Sequence, residues 1–479
     1  MAIISPNPSI QDLKLTIQES TLLFPPQNHQ KSLFLSNIDQ NLNFYVPTVF
    51  FFSPNKDYPP EAATHRLRSA FQKLLETYDF VAGRLKLNPD TGRLVIDSSN
   101  ATGAGFVAAS SALTLPELGD LLCPNPIFRQ LARQTLPGIE DQPLLLLQVT
   151  SFKCGGLAIG MSVNHVLLDG LSAKAFTENL ASQCFADGRQ LAVLPCLDRR
   201  LLAARSPPHA DFHHPECIKP DQLPSSGGFL GFDCEKEELS FNVFKLTPSH
   251  IDFLKNEAKK GKKTPTDPKL ISSFNVATAL IWRCKALSKK NDDENEICTL
   301  LNVIDLRSRL NNPPLPFSYF GNGIWVAYAS AKRGEVKKLP FSELVGMVSE
   351  GPGRVTDEYA RSMIDWMEIN KGLPYGEYMV TSWLKLGLES VEYPWGRPVH
   401  SGPVVNHIKD ICSVFPTGDG SVNALVSLPE EEMTRFCSEF VKILNIAADD
   451  TFAIGDETSK KISSVAIGDE TSKEISSVA

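Results

Sequence analysis

A histidine and an aspartate stand four positions apart just past an apolar stretch of the chain, at His165 and Asp169. An imidazole titrates near neutral pH, so it can accept a proton from a hydroxyl or an amine under working conditions. A carboxylate at this spacing can fix a turn, pair with an arginine or orient the ring, and the sequence alone does not choose among these roles. Taken alone, the pattern more often belongs to a core histidine beside a helix-capping aspartate.

The segments around these two residues predict a strand, a turn and a helix. The short apolar run Leu157–Val163 lies between glycines and is typical of a buried strand. After Gly170, apolar residues recur at helical spacing through Leu171–Cys184, which predicts a helix. His165 therefore falls where a strand ends, a place that can hold a side chain rigidly and leave it open to a cleft.

Length and composition describe an ordinary globular chain. Its 479 residues are enough for two or three hydrophobic cores, and 42% hydrophobic with 21% charged residues is typical of proteins that fold in water. A net charge of −8 argues against a nucleic-acid binder, and no apolar run approaches the roughly 20 residues of a membrane helix. Ten cysteines without a CxxC pair, in a chain whose start lacks a secretory pattern, predict reduced thiols in the cytosol.

Periodic segments along both halves predict a mixed α+β fold. The first half contains an amphipathic helix over Thr64–Phe80, a hairpin around Asn88–Gly92 and two strands around Gly155–Gly156. A proline-rich stretch over 188–235 predicts a long crossover between the halves. The clearest predictions for the second half are the helices Pro248–Lys260, Ser272–Ser288, 341–349 and 356–370 and the strand regions 298–310 and 319–331.

The end of the chain carries a tandem repeat. Residues 453–465 recur as 466–478 with one difference, Lys461 in the first copy and Glu474 in the second. The repeat is polar and has little to bury, so we expect it to be disordered. We interpret it as a sequence duplication without a function.

Several stretches together are more specific than the histidine motif alone. They are AGRL at 82–85, NHVLLDG at 164–170, IWR at 281–283, IDLRSRL at 304–310, YFGNG at 319–323, TSW at 381–383 and WGRP at 395–398. In this order and spacing, the chain resembles the plant BAHD acyl-CoA-dependent acyltransferases over most of its length.

That resemblance implies an α/β (mixed α+β) fold of two similar chloramphenicol-acetyltransferase-like domains, each a mixed sheet with helices, around a central channel. The N-terminal domain would span 1–187, the crossover loop 188–235, the C-terminal domain 236–450 and the tail 451–479. Acyl-CoA, a co-substrate rather than a permanently bound cofactor, is expected to enter from one face and the acceptor from the other. No metal is expected. The lack of a recognisable coiled coil or helical dimer face favours a monomer, and the cytoplasm is the expected location.

The resemblance also assigns catalytic roles. His165 would be the general base that removes a proton from the acceptor, which attacks the thioester carbonyl without a covalent enzyme intermediate. Thr381 and Trp383 resemble positions proposed to line the pocket of the resulting oxyanion, because a hydroxyl and an indole N–H can both donate. The other interpretation of this stretch is a strand packed in the core.

Two residues of the histidine motif are expected to shape the site rather than to react. Asp169 resembles a family aspartate that points away from the channel and forms a structural ion pair, and Gly170 follows it directly. Arg307 and Arg283 are both candidate partners of the aspartate.

A second family signature, usually DFGWG, contains Trp395 and Gly396 and is mainly structural. Here the signature reads EYPWG. Proline in place of the first glycine restricts φ and removes a backbone N–H, so the geometry of this loop is an open question.

A lysine-rich segment precedes the predicted helix at Ser272. Ammonium groups suit the phosphates of CoA, so Lys259 and Lys263 are candidate contacts, and Ser272 and Ser273 resemble a family segment that contacts CoA. The other interpretation is a solvated helix end and loop. A separate group of metal-capable residues fits no zinc spacing, and we expect no metal there: His209, Asp211, His213, His214 and Cys217.

The acceptor is expected to be an apolar or aromatic alcohol of specialised metabolism. Family members that acylate shikimate or quinate carry an arginine shortly before TSW, whereas Gly372–Val380 holds no basic residue and Lys371 lies just ahead of it. The VPTVFFF stretch, with Val46 and Phe50, is also apolar. Glu377 could hold an amine, so an N-acyltransferase is one alternative. The other is a non-catalytic relative that acts as an accessory protein in very-long-chain lipid elongation.

Overall fold

The computed structural model describes residues 3–4, 10–27, 32–99, 102–223, 239–260, 271–290, 293–404 and 408–444. Three predictions fall on residues outside these ranges, namely the repeated tail, Lys263 and the last part of the crossover. Within the ranges the chain forms the mixed α/β fold that the sequence predicts.

The helices begin where the sequence offers a cap or a proline. They are α1 (Asn37–Gln40), α2 (Pro60–Leu74), α3 (Gly170–Cys184), α4 (Pro248–Ala258), α5 (Ser273–Ser288), α6 (Arg333–Lys338), α7 (Phe341–Arg354), α8 (Asp357–Asn370) and α9 (Glu430–Ile443). The side chains of Asp169 and Ser272 accept from the first turns of α3 and α5. The helix predicted over Thr64–Phe80 instead starts at Pro60, since proline suits the first helical position, and ends at Leu74.

Some strands follow the predicted apolar runs, and others, such as the two-residue strands, had no prediction. They are β1 (Ile3–Ile4), β2 (Leu15–Leu23), β3 (Ser32–Leu33), β4 (Tyr45–Phe52), β5 (Arg84–Leu87), β6 (Leu94–Asp97), β7 (Ala104–Ser111), β8 (Leu145–Phe152), β9 (Leu157–Asn164), β10 (Cys217–Ile218), β11 (Leu239–Leu246), β12 (Ile297–Asp305), β13 (Ile324–Lys332), β14 (Leu373–Pro374), β15 (Tyr378–Ser382), β16 (His400–Pro403), β17 (Ile411–Pro416) and β18 (Val422–Pro429). The strand expected over 319–331 begins only at Ile324. The glycine-containing residues before it form a turn that reaches the site.

Two large mixed sheets organise the fold. The first has six strands in the order β16-β4-β9-β8-β7-β2, and the second has seven in the order β1-β11-β18-β17-β15-β12-β13. The strands β7 and β8 run parallel in the first sheet, as do β12, β15 and β17 in the second. The predicted hairpin is the antiparallel pair β5 and β6 in a small separate sheet.

The two halves of the chain each lend a strand to the other's sheet. Strand β16, from the second half, pairs antiparallel with β4 at the edge of the first sheet. Strand β1, from the start of the chain, pairs antiparallel with β11 at the edge of the second. These two pairings tie the sheets together, so residues far apart in sequence can share one site.

Helices cover one face of each sheet. Phe71 of α2 and Phe176 of α3 pack with Phe50 in the first core, and Trp282 of α5 packs with Val380 in the second. Successive side chains of a strand point to opposite faces. Thr381, next to Val380 in β15, therefore faces away from the helices of the second sheet.

Candidate active site

His165 lies directly after β9, at the predicted end of the strand. Its backbone N–H donates to the carbonyl of Phe44 at 2.8 Å, which anchors the turn to the segment before β4. The ring of Phe44 lies 5.2 Å from the imidazole, centre to centre. The histidine is half-buried, so its position is well defined and part of its surface stays accessible.

The amide of Asn322 determines which nitrogen of the imidazole is basic. Asn322 Nδ2 donates to the carbonyl oxygen of His165 at 2.8 Å and to Asp39 Oδ1 at 2.7 Å. Both partners only accept, so Oδ1 of Asn322 is the atom that faces Nδ1 of His165, at 3.0 Å. Nδ1 therefore carries the proton in the neutral ring, and the lone pair lies on Nε2.

The surroundings of His165 favour the neutral imidazole. Burial lowers the pKa of His165, because the charged ring loses hydration. The hydrogen bond to Asn322 and the charges of Asp169 and Asp39 act in the opposite direction, without cancelling the effect of burial. A ring that is neutral at pH 7 is ready to accept a proton.

Asp169 fills two of the three roles that the sequence left open, since it fixes the turn and pairs with an arginine. Its carboxylate accepts from the backbone N–H groups of Ser172 and Gly323, both at 2.9 Å. It also forms a fully buried ion pair with Arg307 at 2.9 Å. The other candidate, Arg283, instead donates to backbone carbonyls near α6.

Two glycines near this ion pair leave little room for a side chain. A Cβ atom on Gly170 would lie 2.9 Å from a methyl carbon of Leu386, and one on Gly323 would lie 2.9 Å from Nη1 of Arg307. Both distances are shorter than real Cβ contacts. The glycines therefore let the turn approach the second half of the chain closely.

Thr381 and Trp383 come from β15 and the residue just past it. Thr381 pairs in register with Ser413 of β17, and their hydroxyl oxygens are 3.2 Å apart. Trp383 packs against the large first core and also against a small cluster of the second sheet that contains Phe415 and Leu425. The tryptophan therefore lies where the two halves of the chain meet.

The EYPWG loop forms a closed turn in which proline fits. The N–H of Gly396 donates to the carbonyl of Tyr393 at 2.9 Å, so Pro394 occupies the second position of a β-turn, where proline is favoured. Gly396 has φ of +114°, a value that suits glycine. The rings of Tyr393 and Trp395 stack at 5.0 Å and are buried against Phe52.

Two of the four expected CoA contacts lie at the N-terminus of α5. Ser272 caps this helix through a hydrogen bond from the N–H of Asn275 at 3.1 Å, and Ser273 is its first residue. Lys259 lies at the end of α4, which packs against α5. The N–H groups at a helix N-terminus suit a phosphate group. Lys263 lies outside the described residues.

Sequence reasoning missed the polar residues that hold the imidazole. Asn322 belongs to the YFGNG stretch, which had served only to recognise the family. Arg199, which donates to the carbonyls of Val166 and Leu167, gave no signal. Asp39 gave none for the site, although the S-x-x-D spacing of Ser36 and Asp39 is a recognisable helix cap. Among the described residues, no group of His, Cys, Asp and Glu is arranged to hold a metal ion.

Comparison with known proteins identifies the family. Residues 13–443 match the Transferase family. The chain is 49% identical over 444 residues to the Arabidopsis thaliana protein named Acyltransferase GLAUCE, covering 90% of this chain and 96% of that protein. It is 31% identical to the omega-hydroxypalmitate O-feruloyl transferase of the same plant, over 90% of this chain and 93% of that protein.

The fold agrees with this relationship. The structure of vinorine synthase, a BAHD enzyme, superposes with a TM-score of 0.68 over 90% of this chain and 98% of the other, at 22% identity. The chain belongs to the BAHD family of acyl-CoA-dependent acyltransferases, and the predicted chloramphenicol-acetyltransferase-like fold is confirmed. Within the part of the chain that the structure describes, no helix is both long and apolar enough to cross a membrane.

Proposed function

We propose that this protein transfers an acyl group from acyl-CoA to the hydroxyl of an apolar or aromatic alcohol, with Nε2 of His165 as the general base. The observation that carries the proposal is the orientation of the imidazole. Asn322 holds Nδ1–H, which leaves the lone pair of Nε2 for the acceptor. The lowered pKa of His165 keeps this nitrogen unprotonated near neutral pH.

The chemistry needs no covalent bond to the enzyme. The acceptor hydroxyl gives its proton to Nε2 while its oxygen attacks the thioester carbonyl, and the carbonyl oxygen takes up the negative charge. We assign the stabilisation of that charge to Thr381 and Trp383. The Thr381 hydroxyl donates to Ser413 Oγ at 3.2 Å, so in this mechanism it turns from Ser413 to the oxyanion by rotation about its Cβ–Oγ bond. Collapse expels the CoA thiolate, which recovers the proton from His165.

Two observations support an uncharged acceptor. Lys371, the cation ahead of Gly372–Val380, pairs with Glu368 at 3.0 Å on the surface. Glu377, which the sequence offered as an amine ligand, is already neutralised by Arg333 at 2.9 Å and Lys289 at 3.4 Å. The N-acyl alternative thus loses the residue that motivated it.

The names of the relatives describe several classes of acceptor, and one of them supports an uncharged alcohol, the fatty alcohol:caffeoyl-CoA acyltransferase of Arabidopsis thaliana at 32% identity. The omega-hydroxypalmitate O-feruloyl transferase is also named for an aliphatic hydroxyl, on an acceptor whose other end is a carboxylate. Of the apolar residues in β4, Phe50 is buried in the first core, so it shapes the sheet and is not in position to contact an acceptor. Val46 is half-buried at the start of the strand and is the better candidate for such a contact.

Acyl-CoA is the co-substrate in this proposal, and the N-terminus of α5 is its phosphate site. Ser272 and Ser273 supply donors there, and Lys259 and Lys263 remain candidate contacts of the CoA phosphates. We propose further that the enzyme acts as a monomer in the cytoplasm, which size-exclusion chromatography and a tagged protein in plant cells would test.

The decisive experiment incubates the purified protein with a panel of acyl-CoA donors and a mixture of alcohols and amines, and follows free thiol and product mass. We expect thiol release that depends on an alcohol and falls about 10²–10⁴-fold in His165→Ala. The matched control is His213→Ala, because His213 is an exposed histidine. Both variants are expected to melt like the wild type.

Each other result has a definite meaning. Equal thiol release by the wild type and His165→Ala would show that His165 is not the base. Release that depends on amines alone would favour the N-acyltransferase. No release by a folded protein across a broad panel would favour the accessory role, and His165→Ala should then still complement a plant that lacks the protein.

A further inference from the structure

A buried carboxylate lies one residue beyond Asn322 in the hydrogen-bond chain that reaches the imidazole. Asp39, in the short helix α1, is fully buried and accepts from Asn322 Nδ2 at 2.7 Å through Oδ1. Its other oxygen accepts from the backbone N–H and the hydroxyl of Ser36 at 2.8 and 2.9 Å. Asp39, which caps α1, is thus also the hydrogen-bond partner of the Asn322 amide.

An equally buried cation from the crossover completes this arrangement. Arg199 Nη1 lies 3.2 Å from Asp39 Oδ1, and both side chains have 1% or less of their surface exposed. The same guanidinium donates to the carbonyl of Val166 at 2.7 Å and to the carbonyl of Leu167. Arg199 therefore holds the two residues that follow His165 while it pairs with Asp39.

We infer that Asp39 and Arg199 are positioning residues that hold the Asn322 amide in one orientation and so keep the basic lone pair of His165 on Nε2. The inference rests on the proposed function, because it matters for catalysis only if His165 is the base. It extends the site from the histidine motif to a helix near the start of the chain and to the crossover between its halves.

The orientation of the amide follows from what each group can donate. A carboxylate that is paired with an arginine can only accept, so it requires the NH₂ end of Asn322. If the amide were reversed, its oxygen would face both Asp39 and the carbonyl of His165, and two acceptors would meet at each contact. With the amide held, its oxygen can only accept from Nδ1–H. An ionised Asp39 therefore favours, through Asn322, the tautomer of His165 that carries the proton on Nδ1.

The first test measures the tautomer in the wild-type protein. The protonated and unprotonated nitrogens of a neutral imidazole differ strongly in ¹⁵N chemical shift, so protein labelled with ¹⁵N-histidine reports the tautomer directly. The signals of His165 are assigned by their loss in His165→Ala. We expect Nδ1 to be protonated. A protonated Nε2 in the wild type would overturn the inference whatever any variant does.

The second test changes Asp39 without changing its shape. The amide introduced by Asp39→Asn can donate to the oxygen of a reversed Asn322 amide, so only the carbonyl of His165 still opposes the reversal. In the reversed molecules the amide offers an N–H to Nδ1 and favours the proton on Nε2. We expect kcat to fall about tenfold with KM unchanged, because a fraction of the protein molecules then carries His165 in the wrong tautomer. Asp90→Asn, which removes the same charge from an exposed turn, should change neither.

A double variant separates positioning from mere structural support. In Asp39→Asn with Asn322→Asp, the new carboxylate at 322 can only accept, so it restores the proton on Nδ1 although both residues have changed. One of its oxygens then faces the carbonyl of His165, so we expect the rescue to be partial. We expect kcat of the double variant to be about threefold higher than that of Asp39→Asn, and its His165 to show the wild-type tautomer. Folded Asp39→Asn protein with unchanged tautomer and kcat would overturn the inference. So would a double variant that keeps the proton on Nε2.

Failure of the inference and failure of the proposed function give different results. If His165→Ala stays active, His165 is not the base, and the tautomer measurement still reports whether Asp39 orients the ring. If His165→Ala is inactive while Asp39→Asn behaves like the wild type, the proposed function stands and only the inference fails. If Asp39→Asn does not fold, the double variant and the wild-type tautomer decide the matter.

Discussion

Two histidines of this protein lie in polar networks, and their partners give them different chemistry. At His165 one ring nitrogen contacts Asn322, and Nε2 has no partner among the described residues. At His214 both ring nitrogens are occupied, Nδ1 by Glu216 at 3.2 Å and Nε2 by Ser362 at 3.0 Å. The same side chain is therefore a candidate base in one place and a structural link in the other.

The network of His214 joins the crossover to the second half of the chain. Glu216 also accepts from the hydroxyl of Tyr359 at 2.7 Å and from the indole of Trp325 at 3.4 Å. His214 and Glu216 are fully buried, and the ring of His214 packs at 4.6 Å from that of Tyr359. Burial and the neighbouring Glu216 carboxylate raise the pKa of Tyr359, so its hydroxyl stays a donor. A buried carboxylate with three donors stabilises the fold and offers nothing to a substrate.

The largest effect on stability is expected at Asp169, which fixes the turn after His165 without contacting the imidazole ring. Asp169→Ala leaves the imidazole and Asn322 in place but removes a carboxylate from a buried ion pair. We expect a loss of about 3–5 kcal/mol in the free energy of unfolding, toward the lower end because Asp305 still contacts Arg307 at 2.7 Å. Denaturant titration followed by fluorescence measures it. A variant as stable as the wild type but inactive would show that Asp169 acts in the chemistry itself.

Replacement of His214 is expected to cause a smaller loss of stability and no loss of catalytic activity. His214→Ala removes one of the three donors to Glu216, so we expect unfolding to become easier by about 1–3 kcal/mol. The kcat of the folded variant should equal that of the wild type. Denaturant titration and steady-state kinetics at a temperature well below the melting point provide the two numbers. A fall in kcat as large as that of His165→Ala would contradict the distinction between the two histidines.

The smallest expected effect is on the pH dependence of activity, and it depends on the pKa of His165 alone. Burial lowers its pKa, so the neutral form that the proposed mechanism requires persists as the pH falls below the ordinary histidine value of about 6.5. Activity should therefore stay level through that pH and decline only below it. The measurement is kcat/KM against pH with acyl-CoA as the varied substrate. An acidic limb at or above the ordinary value would mean that burial does not control the base.

Local patterns account for most of the elements around the site. The apolar run before His165 predicts β9, and the spacing after Gly170 predicts α3, because the periods of two and 3.6 residues are properties of the backbone. Errors occur at boundaries, as where α2 ends at Leu74 and β13 begins at Ile324. Tyr78 and Phe80 are apolar enough to extend the helical pattern, yet they pack in the core from a turn after the helix.

The role of Asp169 shows how far the sequence alone could reach. Helix capping is a local interaction, so the carboxylate next to Gly170 could be recognised as a candidate cap of α3. Its partner could be narrowed to two arginines, but the choice of Arg307 depends on a contact across 138 positions. Periodicity carries no information about such a pairing, because it is created when the two sheets come together.

The sequence by itself determined the strand, the turn and the helix around His165, and through its motifs the family. Tertiary structure alone decided that Nε2 is the basic nitrogen, since Asn322 reaches the ring from 157 positions away and Asp39 reaches Asn322 from 283. Tertiary structure also decided that cations neutralise Glu377 and that both ring nitrogens of His214 have hydrogen-bond partners. The physical reason is that a polar side chain acquires its chemistry from the donors and acceptors that surround it, and in a folded chain these come from any part of the sequence.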